Sequence, residues 1–168
     1  MKKTVKTSVV GMMMAAALVA PVHAADNTAE GTMNVTYTEP NKYIVSIPSS
    51  VDLTKETSTK ITSKEINIAP GKQVEVKILS GINSDGKVTL NREKGEPSDV
   101  TESTVSLAEN GQAIAENAIV ATFEGQSTAV KTGGTLYFSA LPDNLAAGEW
   151  KGQITFSVSV EDIKPVKP

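Results

Sequence analysis

Apolar and polar residues alternate with a period of two along most of this chain, the signature of half-buried β-strands. Tyr43, Val45 and Ile47 alternate, and so do Val74, Val76 and Ile78 around Glu75 and Lys77. Ile154, Phe156, Val158 and Val160 alternate with Thr155, Ser157 and Ser159, giving a strong last strand. Shorter matches fall at Met33-Val35-Tyr37, Ile61 to Ile68, Val88-Leu90, Val105-Leu107, Ile119-Phe123 and Leu136-Phe138. Turn formers separate them. Ser84-Asp85-Gly86, Asn110-Gly111 and Gly133-Gly134 mark tight turns or breaks. Residues 91–103 carry charges and turn formers and read as an exposed loop, and the Ala-rich piece 112–118 has room for one helical turn. No sustained helical period is present. About eight to ten short strands over this length predict an all-β, antiparallel β-sandwich, with a closed barrel as the structural alternative.

The start of the chain follows another rule. Lys2, Lys3 and Lys6 precede an uncharged run from Val9 to Ala20, then Pro21 and Val22-His23-Ala24. A basic start, a short apolar stretch and small residues at a cut site are the three parts of a secretory signal peptide. The apolar run is shorter than the roughly 20 residues a membrane span needs. Residues 1–24 are therefore read as a signal peptide cleaved between Ala24 and Ala25. Residues 25–31 then form a flexible start, 32–162 the sandwich domain and 163–168 a Pro/Lys tail. No Cys follows the apolar run, and the tail has neither an apolar stretch nor a Leu-Pro-x-Thr-Gly motif, so no integral membrane anchor is expected. The expected location is extracellular or at the cell surface, or the periplasm of a Gram-negative host.

Cleavage would change the chemistry. Three of the 16 basic residues leave with the signal, so 13 face 19 acids and the net charge moves from −3 to −6. An acidic chain with a single Arg, Arg92, argues against a nucleic-acid partner. His23 is the only His and leaves too, and there is no Cys. His- and Cys-based catalysis and His/Cys zinc sites then have no residues to use. The expectation is a protein that is not an enzyme, with no cofactor or metal.

Three weaker candidates remain. Glu93, Glu96, Asp99 and Glu102 crowd one loop, where Ca²⁺ would find carboxylates. Their spacing matches no EF-hand loop, and Arg92 and Lys94 intrude, so a solvated loop is the simpler reading. Trp150 and Tyr137, with Tyr37 and Tyr43, offer material for a glycan-stacking platform, against which stands ordinary core packing. Asn34-Val35-Thr36 matches a glycosylation sequon, which carries little weight in a chain with a bacterial-looking signal.

Two stretches carry a resemblance. Tyr43-Ile-Val-Ser-Ile-Pro-Ser-Ser-Val-Asp-Leu53 and Ala147-Gly-Glu-Trp-Lys-Gly-Gln-Ile-Thr-Phe-Ser-Val-Ser-Val160 together resemble small secreted or cell-surface immunoglobulin-like β-sandwich domains of Firmicutes. About 25 residues carry the likeness, which implies a surface module and transfers no catalytic residue. The Ala-Gly-aromatic-x-Gly turn before the last strand is also similar to that of cysteine-free pilins. That resemblance implies assembly by strand addition, with Met33, Val35 and Tyr37 as the donor residues. The expected roles are adhesion or surface structure, then a fibre subunit, then a carbohydrate-binding module. The matching partners are other surface proteins, a second copy, or glycans.

Overall fold

The computed structural model describes residues 4–6, 35–54, 57–96 and 99–164. Most of the signal region, the cut site at Ala24 and Ala25, and Met33 lie outside them. Among the described residues there are eleven strands and no helix, so none long and apolar enough to cross a membrane.

Ten strands follow the first in two antiparallel sheets: β2 (Lys42–Ser46), β3 (Ser58–Asn67), β4 (Lys72–Ser80), β5 (Lys87–Arg92), β6 (Val100–Ser106), β7 (Ile119–Glu124), β8 (Gln126–Ser127), β9 (Lys131–Phe138), β10 (Trp150–Lys151) and β11 (Thr155–Asp162). The larger sheet runs β2-β3-β9-β6-β5-β10, with β8 also on β3. The smaller sheet is β11-β4-β7. A short β1 (Thr4–Lys6), inside the stretch read as a signal, pairs antiparallel with the outer edge of β2.

The pattern explains the inner faces. Val74, Val76 and Ile78 of β4 are fully buried, and so are Ile61 of β3, Val105 of β6 and Leu136 of β9. A bulge where Ile44 and Val45 face Glu65 and Ser63 shifts the inward phase of β3. Ile61 and Ser63 point inward before it, Ile66 and Ile68 after it. The sheets meet most closely where β7 crosses β9. A Cβ on Gly134 would lie 1.9 Å from the Val120 carbonyl oxygen, and one on Gly133 would lie 2.4 Å from the Phe123 ring. Only glycine permits that approach.

Three expectations are corrected. The strand read at Met33-Val35-Tyr37 is not in either sheet over its described part: Val35 to Asn41 belongs to no strand, and Val35 and Tyr37 are 81% and 84% exposed. The loop read at 91–103 holds most of β6. Its inward residues are polar, Thr101 and Ser103, so hydropathy alternation is hidden. Ser103 Oγ donates to the Ser139 carbonyl at 2.8 Å, and Ser139 Oγ accepts from Thr104 N at 2.9 Å, which makes the burial tolerable. The piece 112–118 forms no helix; Ala113 instead makes an isolated bridge to Ser106.

Candidate functional site

Among the described residues a cleft of about 1230 Å³ opens at one end of the body. Its floor is the inner face of the larger sheet, with Ile61, Leu90 and Phe138 among the lining residues. Ile154, just before β11, and Phe156 within it bound one side, and the chain that continues β2, Ile47 to Leu53, bounds another. Among the described residues the larger sheet has eight strands and the smaller three, and the cleft opens beside the narrower one. The smaller sheet ends, among the described residues, at β11, whose one ladder partner is β4.

That missing neighbour is visible in the burial. Phe156 pairs with Ile78 and Val158 with Val76 across the ladder. Ile78 and Val76 are fully buried, while Phe156, Val158 and Val160 are only half-buried against the same core. The arrangement leaves an apolar stripe along an open backbone edge. Such a surface offers contact area and main-chain hydrogen bonds, the ingredients of strand recognition.

The rim is polar. Glu93, Glu149 and Lys151 meet beside Trp150: Lys151 Nζ lies 2.6 Å from Glu93 Oε2 and 3.3 Å from Glu149 Oε1. The Lys151 ammonium holds the Glu93 carboxyl below its ordinary value, and the hydrogen bond to Glu93 raises Lys151 in turn. The acids that reach the cleft, Asp52, Asp143 and Glu149, are exposed at its mouth. Asp52 Oδ1 accepts from Thr54 N and Oγ1 at 3.1 and 2.6 Å, an Asx-type turn that shapes the lip.

The acidic loop does not converge on a cation. Asp99 Oδ2 takes Arg92 Nη2 at 2.5 Å and the Glu96 N–H at 2.9 Å, so it closes its own turn. Glu93 turns to Lys151, and Glu102 faces Lys87 at 3.4 Å and Asn83 Nδ2 at 3.0 Å. Among the described residues no group of three or more His, Cys, Asp or Glu is placed to hold a metal ion.

The aromatic candidates are separated. Trp150 is half-buried, packs against the core, and donates its Nε1–H to the Ala146 carbonyl at 3.1 Å. It lines the cleft. Tyr137 lies between Leu136 and Phe138, both of which line that cleft, and so points to the opposite face of β9. Tyr43 packs against the core. Tyr37 is exposed on the segment before β2, where its hydroxyl donates to the Glu39 carboxylate. No single face presents Trp150 and Tyr137 together.

Sequence reasoning singled out Trp150 but not the cleft around it. The signal available was the last strand itself: four inward apolar residues with no charge until Glu161 mark an unusually unprotected edge. Comparison of the chain with protein-family models, curated proteins and solved structures gives no match to any of them.

Proposed function

We propose that this chain is a secreted, non-catalytic, immunoglobulin-like β-sandwich that serves in adhesion or as a structural component of the cell surface. The observation that carries the reading is the character of the main cleft. Its walls are largely aliphatic and aromatic, its backbone edge is open, and its carboxylates stand exposed at the mouth. Those features suit holding a partner rather than activating a bond. The net charge of −6 expected after cleavage suits an exposed, soluble surface module. The test is twofold. Protease shaving of intact host cells is expected to release the sandwich, and turnover should be absent on polysaccharide and peptide panels. Turnover lost on replacing Asp52, Asp143 or Glu149 overturns the reading.

A second reading, a fibre subunit, is favoured by one specific observation. Val35 and Tyr37, expected as donor residues, stand exposed outside both sheets. This reading predicts SDS-resistant, heat-labile ladders in surface extracts, lost on deleting residues 25–38. A strictly monomeric exported chain at high concentration counts against it.

A further inference from the structure

We infer that the cleft binds a single-chain amphiphile with a cationic head, a long-chain alkylammonium, with its chain on the floor and its head at the mouth; the inference rests on the reading of the cleft as a holding site and names what it holds. Four observations converge on it. First, the floor is apolar. Ile61, Val88, Leu90 and Leu136 line it, and each of them is buried. Half-buried Trp150, Ile154 and Phe156 stand beside them. The volume of about 1230 Å³ exceeds the roughly 300–1,000 Å³ of ordinary small-molecule sites, so there is room for a long chain. Secondly, the mouth is acidic. The charged side chains lining the cleft are Asp52, Asp143, Glu149 and Lys151, three acids against one base. That base is already held, with Lys151 Nζ 2.6 Å from Glu93 Oε2 and 3.3 Å from Glu149 Oε1. Asp143 is exposed and makes no ion pair among the described residues. An incoming carboxylate or phosphate would meet its own sign there, whereas an ammonium is attracted.

The other two observations select an alkyl chain over a peptide or a sugar. Of β11, Phe156 alone lines the cleft, at the point where the register of the strand is irregular. The strand β10, which also lines it, is two residues long. An extended peptide would find few main-chain partners inside the cleft, and an alkyl chain needs none. Fourthly, the indole N–H of Trp150 is already taken by the Ala146 carbonyl at 3.1 Å. The ring therefore has no hydrogen bond to offer a sugar, but it remains a large apolar surface for a chain.

Trp150 is the one tryptophan of the chain, so its fluorescence reports on the cleft. Exported chain is titrated at low salt with dodecyltrimethylammonium and with dodecanoate, both below their micelle concentrations. A saturable shift is expected with the ammonium, at about tenfold lower concentration than with the carboxylate. Shortening the ammonium's chain is expected to weaken binding about fourfold for each methylene removed. Asp143→Lys with Glu149→Lys is expected to reverse the order of the two head groups. Both positions are exposed, so the melting temperature should not fall. Three results overturn the proposal: equal affinity for the two head groups, an order that the reversed charges leave unchanged, or no saturable shift with either. The holding-site reading survives any of these if a polysaccharide or a basic peptide shifts Trp150 instead. It falls if replacing Asp143 or Glu149 abolishes turnover of a substrate.

Discussion

Glu75 shows how much a single position depends on its neighbours. It points away from the core on β4, yet its side chain is only 5% exposed. Lys77 Nζ sits 2.7 Å away, and Gln73 Nε2 donates to it at 2.7 Å. The hydrogen bond with Lys77 is the main reason its carboxyl is held below the usual 4.5. A depressed folded value means that the carboxylate stabilises the fold above its unfolded value. That contribution fades as pH falls through the folded value. Glu75→Gln is therefore expected to melt at lower temperature than the parent at pH 7, with the gap closing on acidification below pH 4.5; a thermal melt series across that range checks it. The alternation around Glu75 and Lys77 was legible in the sequence, but the burial of the acid was not, because its cover comes from its neighbours' side chains.

At the scale of elements, β4 and β11 form a natural comparison. Val76 and Val158 are directly paired and are the same residue type. Val76 is fully buried and Val158 half-buried. Val76→Ala is expected to cost about 2–3 kcal/mol through lost burial and a residual cavity. Val158→Ala should cost about half as much in the monomer, because less area leaves water on folding. Urea denaturation of both variants measures the difference. The strength of β11 was plain from its period of two. Its status as an edge was not, since strand order is set by pairings distant in sequence. The strand β6 is the converse case: hydropathy found only its end at Val105 and missed its first part, because Ser103 takes an inward position and finds its partner in Ser139, 36 residues away.

At the scale of the molecule, two sheets of unequal width touch through Gly133 and Gly134 and gape at the cleft. Gly134→Ala places a Cβ against the backbone of β7, where no side chain can move aside. It is expected to destabilise by about 3 kcal/mol, at the upper end of ordinary overpacking. The loss should appear as a lower denaturation midpoint. Gly125 has no atom within 4 Å of an added Cβ but sits at φ +67°, so Gly125→Ala isolates the backbone contribution. The dipeptide Gly133-Gly134 reads in sequence as a break between strands. In the fold it lies inside β9, because what demanded glycine was the approach of another sheet rather than a turn.

The sequence by itself determined the all-β class, most of the strands and the turn at Asp85-Gly86, where Gly86 takes φ +70°. Those features follow from local rules: a period of two, and the steric freedom of glycine. Only the tertiary structure decided that Trp150 and Tyr137 fall apart, that Glu93 and Glu102 turn to Lys151 and Lys87, and that β11 ends its sheet among the described residues. Each of those depends on which distant strands lie side by side, and a pattern confined to neighbouring residues carries no record of that choice.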